Sequence, residues 1–378
     1  MSNKRVRVAL VGLGFGAEFV PIYKHHPNVE EIVICDANED ILNEIGDKFS
    51  IQRRYTNFDD LIASDTIDAV HLVTPIQYHA PQSIAVLQSG KHCACTIPMG
   101  LSMEELRDVI AAQRASNKNY MMMETAVYTR EYLMVKEMYQ NGEFGRIQFL
   151  RGAHYQDMDG WPAYWKGLPP LMHPTHAIAP LLDLIGKRPV KVSCVGSGSM
   201  REELVRQYNN PYPIESALFQ LENSDVALEL TRSMFHTARD YSECFNVYGE
   251  KATFEWQQLE HEQPVIFRMG EYDGRRGRPF TIERISAPDR QELLPEEIRR
   301  FTQQGVYDES NEHLSFIQGG GHGGSHPHLV NEFIGSIIEE RQPHIDAITS
   351  ANWTAAGICA HESALNGGIL VDIPNFNA

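Results

Sequence analysis

The sequence predicts an α/β protein with a doubly wound parallel sheet at its N-terminus, followed by an α+β domain with a large, mostly antiparallel open sheet. In roughly the first third of the chain, short apolar runs alternate with helical patterns, which is typical of a parallel sheet. After about residue 145, strand-like runs are separated only by turns, which favours antiparallel pairing. We therefore expect one domain at residues 1–125 and a second at residues 126–378.

The first strand–turn–helix unit has the glycine spacing of a dinucleotide-binding fingerprint. The apolar run Val6–Val11 leads into Gly12-Leu13-Gly14-Phe15-Gly16-Ala17, which fits G-x-G-x-x-A, and a helical pattern follows. The first glycine allows a tight turn and the second lets the backbone approach a pyrophosphate, which the helix N-terminus would bind. We predict that Gly12, Gly14, Phe15 and Gly16 bind the cofactor.

An acidic residue stands where the same motif requires one. The second apolar run, Ile32–Cys35, ends at Asp36, about 20 residues beyond the fingerprint. Its carboxylate would accept hydrogen bonds from the ribose hydroxyls and repel a 2′-phosphate, and neither of the next two residues is an arginine that could bind one. The sequence therefore predicts NAD rather than NADP, with Arg53 and Arg54 as the residues that would favour the alternative.

The other elements follow from the same patterns. In the N-terminal half we predict strands at Val29–Asp36, Asp68–Val73, Lys91–Thr96 and Met121–Glu124, and helices at Phe58–Ile62, Tyr78–Ser89 and Ser102–Ser116. Ser102 and Glu105 form a candidate capping box. In the C-terminal half we predict strands at Ile147–Tyr155, Val190–Gly196, Ser216–Leu221, Val226–Ser233, Cys244–Tyr248, Thr253–Gln257 and Val265–Met269, and helices at Ala177–Gly186, Pro327–Glu340 and Ser350–Asn366. Gly270–Glu309, rich in charge, glycine and proline, is expected to be a long surface excursion.

Composition excludes several partner classes. The formal net charge of −17 makes nucleic acid or an anionic membrane an unfavourable partner. No apolar stretch approaches the length of a membrane span, and the first strand begins too early to leave room for a signal peptide. The six cysteines fit no zinc pattern and are expected to be reduced thiols in a cytoplasmic protein.

The sequence resembles the Gfo/Idh/MocA family of nicotinamide-dependent oxidoreductases. The resemblance rests on Val6–Ala17, Thr74-Pro75 followed by His79, Gly90-Lys91-His92 and Pro98. It implies a Rossmann domain followed by an open antiparallel sheet, and a homo-oligomer, a dimer or tetramer, that pairs through that sheet. It also implies that Thr74, Pro75, His79, Thr96 and Trp165 contribute to the cofactor pocket at the carboxyl ends of the strands.

One departure from the family pattern bears on mechanism. Members read Glu-Lys-Pro where this chain has Thr96-Ile97-Pro98, and an isoleucine can neither ionise nor donate a hydrogen bond. The NAD-dependent α-N-acetylgalactosaminidases of the same superfamily also lack the lysine. Similar segments here are Glu124-Thr125-Ala126-Val127-Tyr128, His173-Pro174-Thr175-His176, Gly321-His322-Gly323-Gly324 and Ala351-Asn352-Trp353, although His173 stands where that group has tyrosine.

His176, Tyr128 and His173 are the candidate catalytic residues. Histidine changes charge near neutral pH, so His176 is a candidate general acid or base at the start of a helix, with His173 one turn earlier. A free tyrosine titrates near pKa 10, so Tyr128 would need nearby positive charge to act as a base, and an interface tyrosine is the alternative. The sequence does not decide which of His176 and Tyr128 is the base.

The candidate substrate ligands are His322, Trp161, Lys166 and His326. Glycines around His322 suggest close approach of the backbone to a ligand, with a flexible loop as the alternative. Trp161 suits stacking on a sugar or core packing equally. His326 and His328 could chelate a metal from a strand or loop, with Asp157 and Asp159 adding oxygens, but no metal motif supports this and no metal is predicted.

Three functions remain open from the sequence. The leading hypothesis is an NAD-dependent oxidoreductase acting on a secondary hydroxyl of a small-molecule sugar or glycoside, with C3 as the expected position. The second is a redox-neutral glycosidase or lyase that oxidises the sugar transiently, eliminates the leaving group, adds water and returns the hydride. The third is a sensor that binds NAD and a sugar without turnover.

Overall fold

The computed structural model describes residues 4–161, 168–259, 261–303 and 320–377. The chain divides into two compact units. The first comprises Met1–Thr129 and Asp289–Ala351, and the second comprises Arg130–Pro288 and Asn352–Ala378. The division predicted from the sequence, at 125/126, did not anticipate that 289–351 joins the N-terminal unit. The reason is that residues 289–351 contact residues far from them in the sequence, and local sequence patterns carry no information about such contacts.

The first unit contains a six-stranded parallel sheet, as the alternation of apolar runs predicted. Its strands are β1 (Val6–Val11), β2 (Val29–Cys35), β3 (Arg54–Tyr55), β4 (Ala69–Leu72), β5 (His92–Cys95) and β6 (Tyr120–Met122). The order across the sheet is β3-β2-β1-β4-β5-β6, and every described pairing is parallel. In this arrangement the strand order reverses between β1 and β4, so a dinucleotide is expected at their carboxyl ends.

The helices of the first half lie between these strands. They are α1 (Val20–His25), α2 (Glu39–Lys48), α3 (Phe58–Ile62), α4 (His79–Gln88) and α5 (Met103–Ser116). Ser102 caps α5 as predicted, since its side chain accepts from the Glu105 N–H at 3.2 Å. The Glu105 carboxylate, however, accepts from the Leu101 N–H at 2.6 Å, one residue before the position that a capping box requires.

The second unit contains a nine-stranded open sheet. Its strands are β7 (Ile147–Tyr155), β8 (Pro189–Ser197), β9 (Ile214–Leu221), β10 (Ala227–Ser233), β11 (Ser242–Gly249), β12 (Ala252–Glu255), β13 (Val265–Met269), β14 (Phe280–Arg284) and β15 (Val371–Asp372). The order is β14-β13-β12-β11-β7-β10-β9-β8-β15. All described pairs are antiparallel except β7 with β10, which confirms the predicted mostly antiparallel sheet.

The remaining helices are α6 (Arg130–Gln140), α7 (Thr175–Ile185), α8 (Glu202–Tyr208), α9 (Gly320–Gly324), α10 (His326–Ile338) and α11 (Ala347–Leu365). Residues 271–284 of the predicted surface excursion Gly270–Glu309 are exposed as expected, but the segment contains regular elements. Strand β14 lies within it and extends the edge of the second sheet. A 3-10 helix, Glu296–Thr302, buries Ile298 and Phe301. The high charge of the segment obscured both elements, because β14 is exposed along its whole length.

Two properties follow for the chain as a whole. None of the described helices is long and apolar enough to cross a membrane. No disulfide joins the six cysteines, and five of them are buried.

Helix α7 packs unusually closely on the second sheet. It lies against β7, β10 and β11. A Cβ atom at Gly152 on β7 would overlap the carbonyl oxygen of Ala177 on α7, and would lie 3.3 Å from the Leu181 side chain. Gly152 therefore sets the distance between this helix and the strands beneath it.

Gly152→Ala is expected to destabilise the second unit by about 1–3 kcal/mol, because the added methyl group forces α7 away from the sheet. Urea unfolding monitored by circular dichroism measures the change. The matched control is Gly335→Ala in α10, where the nearest atom to an added Cβ is Arg341 Nη2 at 3.7 Å. That helical substitution should be neutral or stabilising, and equal losses of stability in the two variants would contradict the close-approach argument.

Candidate functional site

The glycine turn after β1 forms a cradle whose shape excludes side chains on one side and leaves space on the other. Gly12 has φ +89°, and a Cβ there would overlap the carbonyl oxygen of Val73 after β4. At Gly14, in contrast, a Cβ would meet no atom within 4 Å. A side chain is thus forbidden at Gly12 by the fold, whereas at Gly14 the backbone faces the open space that a pyrophosphate requires.

Asp36 at the end of β2 is oriented toward the turn. Its Oδ2 accepts a hydrogen bond from the Leu13 N–H at 2.7 Å, and its Oδ1 accepts one from the Asn38 N–H at 2.8 Å. Each carboxylate oxygen retains a further lone pair for a ribose hydroxyl. Together with the space at Gly14, this fits the adenosine half of a dinucleotide.

His79 does not line an open pocket but lies between two loops and contacts both of them. It is buried, with Nδ1 2.8 Å from the Pro98 carbonyl oxygen and Nε2 2.8 Å from the Thr74 carbonyl oxygen. The Thr96 hydroxyl lies 3.3 Å from Nε2. Burial lowers the pKa of His79. The neutral imidazole carries one N–H and therefore donates to only one of these two carbonyl oxygens. His79 lies between the loops after β4 and β5, and Thr74, Pro75 and Thr96, each half-buried, are at the carboxyl edge of the sheet.

Ile97 occupies the position of the family lysine. Only 7% of its surface is exposed, and the neighbouring Met99 is fully buried. An apolar side chain in an apolar environment supplies neither a proton nor a charge, so acid/base chemistry must come from other residues.

Four ionisable residues form a row across the centre of the second sheet. In the register of the sheet, Arg232 on β10 stands opposite Glu215 on β9 and opposite His154 on β7. His154 in turn stands opposite Glu243 on β11. Glu215, Arg232 and His154 are at most 2% exposed. A buried row of alternating acid, base, histidine and acid on one face of a sheet is costly unless its charges compensate one another.

Helix α7 and the turn before it bring the predicted histidines to this row. The imidazole rings of His173 and His176 have centroids 5.4 Å apart, and the His154 ring lies 6.4 Å and 5.7 Å from them. The ring of Tyr241 lies 5.4 Å from that of His154. We refer to His154, His173, His176, Tyr241 and Glu243 as the histidine cluster.

Glu243 organises the cluster. Its Oε1 lies 3.4 Å from Nε2 of His176 and also accepts a hydrogen bond from the Tyr241 hydroxyl. A carboxylate beside Nε2 favours the tautomer that carries its proton on that nitrogen, so Nδ1 is the basic nitrogen of the ring. Carboxylate-oriented histidine is a recurrent general-base arrangement.

Arg232 and Glu215 hold the segment that carries His173 through hydrogen bonds. Arg232 donates hydrogen bonds to the His173 carbonyl oxygen and, at 3.2 Å, to Oε1 of Gln156. Burial lowers the pKa of Arg232 to about 10, which still leaves it charged at neutral pH. Glu215 accepts a hydrogen bond from the Leu171 N–H at 2.9 Å and contacts His361 Nδ1 at 2.6 Å. Hydrogen bonds at Leu171 and at His173 therefore connect this segment to the sheet at two points.

Tyr128 lies in the first unit, in a different setting. It is half-buried, its ring stacks on His328 with centroids 6.4 Å apart, and His344 meets it edge-on at 6.5 Å. Burial lowers the pKa of His328 to about 4, so that imidazole is neutral at physiological pH. The positive charge that Tyr128 would need to act as a base is therefore not supplied by His328.

The glycine-rich segment forms the short helix α9, which approaches the nucleotide turn. The ring of His322 lies 5.8 Å from that of Phe15. His326 is fully buried, packs on Phe19 with centroids 4.5 Å apart, and has Nδ1 3.4 Å from Oε2 of Glu18. Burial raises the pKa of Glu18 to about 10, so a neutral acid faces this histidine.

His326 was predicted to be a substrate ligand, but its ring is fully buried and offers no accessible surface to a substrate. The idea that His326 and His328 chelate from a strand or loop was wrong in its premise, because both lie in α10, where residues two apart point about 200° apart. Trp161 packs against an apolar cluster that contains Met158 and Phe235, which favours its core role. Trp165 and Lys166 lie outside the described residues.

Sequence reasoning did not identify His154, Arg232, Glu215, Tyr241 or Glu243. A partial signal was present, because His154 stands at an even spacing from the fully buried Leu150 on the same predicted strand and must share its face. The register between strands, which assembles the row, is not readable from one strand at a time.

Comparison with known proteins is consistent with this architecture. A family model described as the oxidoreductase family, NAD-binding Rossmann fold, matches residues 6–124, and one described as the GFO/IDH/MocA C-terminal domain matches residues 132–255. Together they cover more than half of the chain. Levoglucosan dehydrogenase, solved with NADH and levoglucosan, aligns over 98% of this chain and 100% of that chain, with a TM-score of 0.76 and 20% identity, and so shares the fold.

Two curated relatives are similar in sequence. A glycosyl hydrolase family 109 protein of Shewanella baltica is 30% identical over 258 residues, covering 61% of this chain and 56% of that protein. An α-N-acetylgalactosaminidase of Shewanella oneidensis is 28% identical with the same coverage. The matched region thus spans little more than half the length of these relatives. The fold and both family models agree, and the chain belongs to the Gfo/Idh/MocA family of oxidoreductases, with NAD as its cofactor.

Proposed function

We propose that this protein is an NAD-dependent enzyme that oxidises a secondary hydroxyl of a sugar or glycoside, with C3 as the expected position. The observation that carries the proposal is the histidine cluster, in which Glu243 lies 3.4 Å from Nε2 of His176. Such a group is needed for proton removal from a hydroxyl when the family lysine is replaced by Ile97. The sugar class is supported by the names of the relatives.

The chemistry divides between cofactor and protein. The glycine turn and Asp36 would hold NAD⁺, which when bound would supply the hydride acceptor for the carbinol carbon. His176 takes the hydroxyl proton at Nδ1, and Glu243 stabilises the resulting imidazolium through Nε2. Tyr241 holds Glu243 through its hydroxyl, and Arg232 fixes the backbone at His173. Tyr128 is the alternative base, and His322 remains a proposed contact to the sugar.

A redox-neutral glycosidase is the second candidate, and a specific observation favours it. Ile97 replaces the lysine, and one relative is named an α-N-acetylgalactosaminidase. In this cycle the C3 hydroxyl is oxidised to a ketone, which acidifies the C2–H bond. A base removes that proton, the C1 substituent leaves, water adds at C1, and the hydride returns to C3. The oxidation step is shared with the first candidate.

Incubation of the purified protein and NAD⁺ with a panel of sugars and aryl glycosides distinguishes the candidates. Stoichiometric NADH absorbance supports net oxidation, whereas aglycone release without net NADH supports the redox-neutral cycle. If neither signal appears while NAD binding is intact, catalysis is excluded and a sensor remains.

His176→Ala should lower kcat about 10²–10⁴-fold, the usual contribution of a positioned acid or base, without changing NAD affinity. Glu243→Gln should lower it less, since the base remains but its orientation and charge partner are altered. Tyr128→Phe is the parallel test of the alternative base, and exposed His261→Ala is the control. Near-normal turnover in both His176→Ala and Tyr128→Phe would exclude the assignment.

We also propose that the predicted fingerprint residues bind the cofactor, with Asp36 on the ribose. Asp36→Asn should weaken NADH binding about tenfold or more and narrow the preference over NADPH, because a charge-assisted hydrogen bond and a repulsive charge are both lost. Fluorescence titration with each reduced nucleotide measures this. Asp40→Asn, an exposed acid in the first turn of α2, is the control and should leave both affinities unchanged.

Finally, we infer a homo-oligomer that pairs through the open sheet. Val195 on β8 and Leu218 on β9 are 54% and 56% exposed and lie on the same face, since Leu218 pairs with Ser193. Exposed apolar groups on a sheet face are typical of an interface. Light scattering should give the mass of a dimer or tetramer, which Leu218→Glu should reduce, whereas a monomeric mass for the unaltered protein would refute the inference.

A further inference from the structure

The Gly90-Lys91-His92 motif lies at the edge of the parallel sheet that the cofactor does not use. His92 begins β5, and Lys4 and Arg5 precede β1, so these residues are at the amino ends of their strands. The glycine fingerprint follows the carboxyl end of β1. Since β1 has six residues, about 20 Å separates the two edges.

A cavity of about 480 Å³ opens at this amino edge, within the first unit. Its volume is in the range of small-molecule sites. Five cationic and three acidic side chains line the cavity. The cationic residues are Lys4, Arg5, Arg7, Lys91 and Lys118, and the acidic residues are Glu30, Asp65 and Asp68. The lining is therefore locally positive, on a chain whose formal net charge is −17.

Lys91 is the unusual member of this lining. It is 6% exposed, and among the described residues its ammonium group makes no hydrogen bond or ion pair. Burial lowers the pKa of Lys91, and the nearby carboxylates of Asp65 and Asp68 oppose that shift. Asp68, just before β4, already accepts hydrogen bonds from the Arg7 backbone N–H, Nε and Nη2 at 2.7–2.9 Å. Lys91 lines the cavity and its ammonium has no hydrogen-bonded acid among the described residues, so an anion bound there would gain a direct charge partner.

Two other groups offer hydrogen-bond donors to the same cavity. His92 Nδ1 accepts from the Asn119 N–H at 3.0 Å, so the neutral ring carries its proton on Nε2 and donates from there. Lys118 is half-buried, and its charge adds to the effect of burial, which lowers the pKa of both Lys91 and His92. Cationic groups that converge in this way are expected where an anion binds.

We propose that this cavity binds a small metabolite through a phosphate group, held by the ammonium groups of Lys91 and Lys118 and by His92 Nε2–H. The site is separate from the cofactor cradle and takes no part in hydride transfer. The remainder of the cavity accommodates the organic part of the ligand.

Thermal unfolding of the NAD-saturated protein tests the proposal, with inorganic phosphate and glucose 6-phosphate as probes. At a concentration tenfold above its Kd, each should raise Tm by about 3 °C. Glucose alone and sodium chloride at matched ionic strength should not. An absence of any shift, or an equal shift with chloride, would overturn the proposal. An equal shift with citrate would overturn the choice of phosphate over carboxylate.

Lys91→Met should abolish the phosphate-dependent rise in Tm, since it removes an ammonium group that would bind the phosphate. Exposed Lys24→Met makes the same charge change and should retain the full response. If Lys91→Met does not fold, Lys118→Met carries the test and should weaken phosphate binding about tenfold. An undiminished phosphate response in the lysine variants would show that the site is elsewhere.

Discussion

The burial of Arg232 among polar partners is the constraint on which the geometry of the histidine cluster depends. Its guanidinium is almost completely buried and donates to the His173 carbonyl oxygen and to Gln156, and Glu215 and His154 are its neighbours on the adjoining strands. Without it, Glu215 would be a buried carboxylate with one positive neighbour fewer, and the turn that carries His173 would keep only the hydrogen bond from the Leu171 N–H to Glu215. Removing one member of a buried charged set is far more costly than never having built it. The row therefore couples the stability of the second unit to the geometry of the histidine cluster.

Steric constraint has the corresponding role in the first unit. Gly12 accommodates the Val73 carbonyl, and the His79 imidazole lies between the Thr74 and Pro98 carbonyls. The absence of a side chain at Gly12 and the presence of one at His79 therefore both position the loops at the carboxyl edge. Ile97 can stand at the position of the family lysine without disturbing the fold. It fills a buried position with apolar surface, while acid/base chemistry is proposed to have moved to residues of the second sheet.

Local patterns predicted most elements well. The spans of β1, β7 and β13 agree with the predicted runs, and α5 begins at the predicted cap. The failures share a cause. Strand β14 is exposed throughout and therefore has no buried face to generate an alternation. The placement of 289–351 with the N-terminal unit depends on contacts between segments far apart in the chain. The predicted helix Pro327–Glu340 begins within one residue of α10, so the suggested chelation by His326 and His328 did not fit the helix that the sequence itself predicted.

The sequence alone determined the parallel and antiparallel sheets, the nucleotide turn with Asp36, and the choice of NAD, because these depend on spacings of a few residues along one strand or turn. Tertiary structure decided which ionisable groups act together. Glu215, Arg232, His154 and Glu243 come from four strands spread from residue 154 to residue 243, and only the register of those strands sets them side by side. Burial then fixes their character, since a charge inside the sheet is tolerated only beside its partner. Lys91 is the converse case, a motif visible in the sequence whose lack of a partner among the described residues emerged only from the fold.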